Sequence, residues 1–134
     1  QRARSYLFTT ALPPAVAAVT RAALRIVRAE GWRRTQLQAL VARFRDGAAA
    51  RGLPLLPSAT PIQPLSVPGA EACLIASAKL MQRGFWVAAI RHPTVPAGTE
   101  RLRVTLSAAH AATQVDALLD ALAEVLPRDT AVSA

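Results

Sequence analysis

Residues 101–107, RLRVTLS, alternate polar and apolar side chains over the length of a β-strand. The apolar members are Leu102, Val104 and Leu106, and the polar members are Arg101, Arg103, Thr105 and Ser107. Successive side chains of a strand point to opposite faces, so this strand has one face that needs burial and one that does not. The segment therefore predicts a sheet that other elements cover on one face only.

Four other segments repeat their apolar residues at the spacing of an α-helix. They predict a helix over about 14–29, a second helix that contains Leu37 and Phe44 and ends near Gly52, and helices over 69–83 and 113–126. Thr113 and Asp116 are predicted to cap the start of the last helix.

Two further segments favour strands. IQPLSV, residues 62–67, contains Pro64, which cannot donate to a ladder and so predicts an edge strand. FWVAAI, residues 85–90, predicts a buried strand with Phe85 and Trp86 in the core. The order is helix, helix, strand, helix, strand, strand, helix. This order predicts an α+β fold, a small and mainly antiparallel sheet covered by helices on one face.

The positive charge is concentrated in the first part of the chain. The 134 residues carry a net charge of +8, and residues 1–51 hold ten arginines against only Glu30 and Asp46. Such a charge could suit nucleic acid, an anionic membrane surface or a phosphorylated ligand. No aromatic residues are interleaved for base stacking, and the long uncharged segment 52–70 contains five prolines, which excludes a membrane helix. The single Cys73 cannot form an internal disulfide, which favours a cytoplasmic protein.

Arg101 and Arg103 are the candidate binding residues, because both are predicted to point from the uncovered face of the sheet. A guanidinium group presents a planar fork of donors that matches a carboxylate or a phosphate. The alternative is an exposed ion pair with a nearby acid such as Glu100. Thr94 and Thr99 place hydroxyl groups in the preceding loop.

The other reactive side chains favour structural roles. His92 and His110 are the only imidazoles and form no recognisable catalytic order. Cys73 falls on the apolar stripe of its helix, which predicts a buried, inert thiol. Lys79 is the only lysine and is predicted to be exposed. Taken alone, the chain offers no nucleophile, metal site or acid–base pair.

Several motifs give the chain a family resemblance. RSYLFTTALPPAV, LQALVARFRDG, PIQPLSVPG, LMQRGFWVAAIR and IRHPTVPAGTERLRVTLSAAH occur in this order and reach to about residue 126. Together they resemble the α-oxoamine synthases, pyridoxal-phosphate enzymes of fold type I that condense an amino acid with an acyl thioester and release CO2. Within this family the likeness is greatest to members of the biotin pathway. A sister enzyme that uses glycine is the near alternative, and a basic α+β module that binds nucleic acid is the alternative of another class.

The resemblance implies that the chain is a fragment of a homodimeric enzyme. Residues 1–34 would be the end of the large domain and the interdomain helix, residues 35–127 the small C-terminal domain, and residues 128–134 a tail. The cofactor would be pyridoxal 5'-phosphate, and the Schiff-base lysine would lie upstream of Tyr6. The substrates would be L-alanine and either pimeloyl-CoA or a pimeloyl-carrier protein, with neither nucleic acid nor a membrane as partner.

The resemblance also assigns roles to three residues of this chain. Arg103 matches the arginine that grips the carboxylate of the amino-acid substrate, and Thr94 matches the loop threonine beside it. Thr10 matches a residue expected to reach the cofactor phosphate of the neighbouring subunit. None of the family's catalytic residues falls in this chain, and the isolated fragment is expected to be inactive. One departure is His92, which stands where the family tends to have proline.

Overall fold

The computed structural model describes residues 10–126. The elements in these residues are α1 (Pro14–Ala29), α2 (Trp32–Ala50), β1 (Ile62–Ser66), α3 (Ala70–Gln82), β2 (Ala88–Ile90), β3 (Arg101–Thr105) and α4 (Ala112–Val125). This order confirms the predicted one. The chain divides into two compact units, residues 1–32 and residues 33–134. The division of the chain into parts of a large and a small domain stays a prediction.

Helix α1 belongs to the first unit and begins where the sequence predicted. Pro14 occupies its first turn, where a missing N–H costs nothing and a fixed φ favours the helix. The helix ends at Ala29, and the backbone N–H of the capping residue Glu30 donates to the carbonyl of Ile26 at 2.8 Å. None of its residues is buried, so the large apolar side chains of α1 stay exposed.

The sheet has the strand order β1-β3-β2, and both pairings are antiparallel. The position of β1 at an edge confirms the prediction made from Pro64. This edge is partly covered by the preceding segment, since the N–H of Leu56 donates to Pro64 O at 2.9 Å and the N–H of Ser66 donates to Pro54 O at 2.8 Å. Such cover protects an edge strand from pairing with other chains.

The core lies on one face of the sheet, as predicted. Leu102 and Val104 of β3 are buried, as are the side chains that α2, α3 and α4 direct towards them. The largest fully buried side chains are Phe44, Leu65, Leu80, Leu102, Leu119 and Leu122. Among residues 10–126, no helix combines the length and the hydrophobicity that a membrane crossing requires.

The strand predicted over residues 85–90 is shorter than expected. Gly84, with φ of 86°, ends α3, and the N–H groups of Gly84 and Phe85 donate to Met81 O and Leu80 O, both at 2.9 Å. This is a Schellman motif. The N–H groups of residues 84 and 85 bond to the end of the helix and are therefore not available for pairing in the sheet. Trp86 is consequently 88% exposed, so its prediction as a core residue was wrong, whereas Phe85 packs against the core.

The predicted capping pair of α4 was also wrong. The helix begins one residue before Thr113, and the side chain of Gln114 accepts the backbone N–H of Ala111 at 2.8 Å. Asp116 instead binds Arg43 of α2, which donates from Nε to Oδ1 (2.7 Å) and from Nη2 to Oδ2 (2.6 Å). The hydrogen-bonded guanidinium lowers the pKa of Asp116. The carboxylate therefore joins α4 to α2 and does not cap its own helix.

Helices α2 and α4 approach each other closely at Gly47. A methyl group on Gly47 would overlap Cδ1 of Leu119, which is fully buried and cannot turn away into solvent. Just after the end of α2, Arg51 donates from Nη2 to Asp120 Oδ1 at 2.6 Å. A glycine at position 47 therefore sets the distance between the two helices.

We expect Gly47→Ala to destabilise the chain by about 1–3 kcal/mol, because the added methyl overpacks a full core. In an open helix the same change stabilises by roughly 0.5–1 kcal/mol. Urea unfolding of the isolated chain measures the difference. The penalty should disappear in a Leu119→Ala background, and an unchanged penalty there would contradict the proposed overlap.

Candidate functional site

The face of the sheet opposite the core carries a mixture of polar and apolar side chains. Register places Arg103 opposite Pro64 and Ala88, and Arg101 opposite Ser66 and Ile90. Residues directly opposite each other in an antiparallel pair share a face of the sheet. We call this surface the open face, and it comprises Ile62, Pro64, Ser66, Ala88, Ile90, Arg101, Arg103 and Thr105.

Arg103 lies in the middle strand of the open face and is exposed. Its strand neighbours Leu102 and Val104 are buried, which fixes the backbone from which its side chain projects. Among residues 10–126 its guanidinium has neither a carboxylate partner nor a side-chain hydrogen bond. The flanking side chains of Pro64 and Ala88 are short, so its donors are available to a ligand.

The alternative ion pair with Glu100 is not formed. Glu100 is 3% exposed, and its Oε2 accepts the backbone N–H of Gly69 at 2.9 Å. Arg101, which could also have paired with it, donates from Nε to the carbonyl of Thr99 at 3.0 Å. The two arginines therefore differ, since Arg101 is tied to the loop and Arg103 is not.

Glu100 anchors the start of β3, a role that sequence reasoning missed. Its carbonyl accepts the N–H of Val67 at 2.9 Å, while its carboxylate holds Gly69 at the start of α3. The pKa of the Glu100 carboxyl is lowered, chiefly by the hydrogen bond from the N–H of Gly69 and further by its own N–H. The buried carboxylate thus stays ionised and fixes the end of the loop that precedes the arginines.

Thr94 lies in the loop that joins β2 to β3, at the end of the open face where Arg101 lies. Its N–H donates to Arg91 O at 2.9 Å, and its side chain is exposed. Later in the loop, Thr99 donates its hydroxyl to Pro96 O at 2.8 Å. The structure thus brings Thr94 and Arg103 to one sheet and its connecting loop, and their binding roles stay predictions.

Thr10 is exposed and lies in the first unit, four residues before α1 begins. Its predicted contact with a cofactor phosphate involves a neighbouring subunit, and it stays a prediction.

The remaining reactive residues have structural surroundings. Cys73 is fully buried, as predicted, and burial raises the pKa of its thiol. His110 accepts the N–H of Ser107 through Nδ1 at 3.2 Å and so closes the turn before α4. Lys79 is exposed in the last turn of α3, also as predicted. Within residues 10–126, no cluster of His, Cys, Asp and Glu side chains could hold a metal ion.

Comparison with known proteins decides the family. Residues 1–122 match the family described as "Aminotransferase class I and II". The chain belongs to this family. It is 55% identical over 126 residues to the 8-amino-7-oxononanoate synthase of Saccharophagus degradans, with 94% of this chain and 32% of that protein covered. It is 59% identical over 122 residues to the same enzyme of Thioalkalivibrio sulfidiphilus, with 91% and 31% covered.

The solved structures agree with this assignment. The serine palmitoyltransferase of Sphingomonas wittichii superposes with a TM-score of 0.81 at 28% identity, covering 91% of this chain and 31% of that one. The family is a pyridoxal-phosphate-dependent one of fold type I, so the predicted fold and the resemblance to α-oxoamine synthases are confirmed. The chain spans about a third of the length of the curated relatives it matches.

The anchoring role of Glu100 predicts a pH-dependent stability. Because its folded-state pKa is lowered, the carboxylate stabilises the fold above its unfolded pKa of about 4.3, and this contribution is lost as the pH falls through the lower folded value. We expect Glu100→Gln to be less stable than the wild type near neutral pH, and the difference to shrink as the pH falls below the unfolded pKa.

Urea unfolding of the isolated chain across this range tests the prediction. Glu124→Gln is the matched control, because it breaks an exposed ion pair with Arg83 that is worth little. An identical pH dependence in the two variants would show that Glu100 is not a special anchor.

Proposed function

We propose that this chain is the C-terminal part of an 8-amino-7-oxononanoate synthase. The complete enzyme condenses L-alanine with a pimeloyl thioester and yields 8-amino-7-oxononanoate, CO2 and a free thiol. The identity of 55–59% to enzymes of this name supports the proposal. Within the chain itself, the main support for this function is Arg103. Its guanidinium is exposed on the open face and has no carboxylate partner among residues 10–126.

Arg103 binds the carboxylate of L-alanine. Its planar fork offers two parallel N–H donors to the two carboxylate oxygens, which fixes orientation as well as position. When the carboxylate is fixed, the orientation of the other bonds at the amino-acid Cα is fixed too, and this determines which bond is broken. Such positioning is a large part of catalysis. The support for this role is a rigid strand whose opposite face is core.

Thr94 and Thr10 complete the contacts that this chain provides. The hydroxyl of Thr94, in the loop between β2 and β3, donates to the substrate beside the carboxylate. The complete enzyme is a homodimer, and Thr10 donates to the cofactor phosphate held by the neighbouring subunit. Both side chains are exposed in this chain, which is consistent with partners that lie outside it.

The residues present fit part of a pyridoxal-phosphate site. The uncommitted guanidinium of Arg103 and the exposed hydroxyl groups suit the anionic groups of the substrate and the cofactor. Lys79, the only lysine, lies exposed in the last turn of α3 and does not fit a covalent attachment site. The attachment lysine therefore belongs to the rest of the enzyme. When bound, the cofactor supplies an electron sink for the bond broken at the amino-acid Cα.

The relatives do not favour the two alternatives, a sister enzyme that uses glycine and a nucleic-acid-binding module. Turnover of the complete enzyme with L-alanine and with glycine distinguishes the proposed function from the glycine-using enzyme, because only the proposed function requires a preference for alanine.

Arg103 and Arg101 are expected to differ in their importance. In the complete enzyme, Arg103→Ala should lower kcat/KM for L-alanine by the equivalent of about 2–5 kcal/mol, because the carboxylate loses its charged partner in a closed site. Arg101→Ala is the matched control and should cost about 0–1 kcal/mol. Arg103→Lys should also fail, since an ammonium group cannot make the two-point contact. Equal losses at both positions, or an active Arg103→Lys enzyme, would contradict the assignment.

The isolated chain is expected not to retain pyridoxal phosphate. Incubation with the cofactor followed by dialysis should leave no absorbance band of a covalent lysine adduct, because Lys79 is exposed to water. A band that survives dialysis and is abolished by Lys79→Ala would overturn this expectation.

A further inference from the structure

Helix α1 carries part of the excess positive charge of the chain. Arg43 of α2 and Arg51, just after α2, form ion pairs with Asp116 and Asp120. Arg45 of α2 donates to the side chain of Gln63 at 2.9 Å. Helix α1 contains three arginines and no Asp or Glu. The three are Arg21, Arg25 and Arg28, which we call the arginine stripe.

The arginine stripe occupies one side of α1. Spacings of four and three residues place its members on a single face of a helix. All three are exposed, and no carboxylate among residues 10–126 pairs with them. Ala18 and Ala29 flank the stripe on one side, and Leu24, which is itself exposed, flanks it on the other.

The opposite side of α1 is apolar. At about 100° per residue, Val16, Val19, Ala23 and Ile26 point roughly opposite to the mean direction of the arginine stripe. Exposed apolar stripes of this kind are normally covered in a complete protein. When the apolar side of α1 is covered by the rest of the enzyme, the arginine stripe points away from it and stays accessible.

The shape of the stripe favours a protein over a small ligand. From Arg21 to Arg28 it extends about 10 Å along the convex surface of one helix. Small molecules bind preferentially in concave pockets, which bury most of their surface. A convex row of uncompensated positive charge instead matches an extended negative surface, such as an acidic helix of another protein.

Resting on the function proposed above, we propose that the arginine stripe docks an acidic carrier protein that delivers the acyl group as a thioester. The stripe accelerates the encounter of enzyme and carrier and orients the carrier, and it takes no part in the reaction itself. This role requires that the arginines affect catalysis with a carrier-bound acyl donor and not with a donor that lacks the carrier.

The test compares two acyl donors in the complete enzyme. We expect R21E/R25E/R28E to lower kcat/KM for the pimeloyl-carrier protein at least about 10-fold, and to change kcat/KM for pimeloyl-CoA by less than about 2-fold. The wild-type value with the carrier should also fall as salt is raised, more steeply than that of the variant. R21K/R25K/R28K keeps the charges and should behave as the wild type.

Lys79→Glu is the matched control, because it reverses an exposed positive charge on α3. It should leave both donors unaffected. Equal losses with both donors, no loss with either, or an equal carrier-specific loss in Lys79→Glu would overturn the docking surface. Should the reversed variant fail to fold, R21Q/R25Q/R28Q provides the same comparison.

A binding measurement separates this proposal from the function on which it rests. Fluorescence anisotropy with the unacylated carrier protein requires no turnover, and removal of the arginine stripe should weaken the binding. If the wild-type enzyme makes no product from either donor, the proposed function fails whatever the carrier does. Charge-dependent binding of α1 to anionic vesicles or duplex DNA, without binding to the carrier, would assign the stripe to another partner.

Discussion

The alternation of side chains along β3 is the constraint on which the rest of the structure depends. Leu102 and Val104 have to be buried, so α2, α3 and α4 pack on that side of the sheet. The same period of two that buries these residues places Arg103 on the other side. A rigid, covered face and an available guanidinium are therefore two consequences of one short sequence.

The two neighbours of β3 decide what surrounds Arg103. Pro64 on β1 and Ala88 on β2 lie opposite it in register, and both have short side chains. The nearest acid in the sequence is Glu100, and its carboxylate instead accepts a hydrogen bond from the backbone N–H of Gly69. Arg103 is thus left without a carboxylate partner among residues 10–126, as a residue that binds an external carboxylate should be.

The sequence was sufficient for those features that depend on local spacing. Helix α1, the edge position of β1 and the burial of Cys73 follow from periodicity and from the properties of proline, and all agree with the structure. The predictions that were wrong concern features that depend on distant or competing contacts. Trp86 is exposed because the end of α3 takes the backbone of the next residues, and Asp116 binds Arg43 although the two lie 73 positions apart. The role of Glu100 likewise required a contact with Gly69 that no local pattern indicates.

We propose that Arg103, on the open face, binds the substrate carboxylate. A crystal structure of the complete enzyme with pyridoxal phosphate and L-alanine tests it most directly. We expect both oxygens of the alanine carboxylate to accept N–H groups of Arg103, with N···O distances of about 2.7–2.9 Å. A carboxylate bound by another residue, with Arg103 still directed into solvent, would contradict the account.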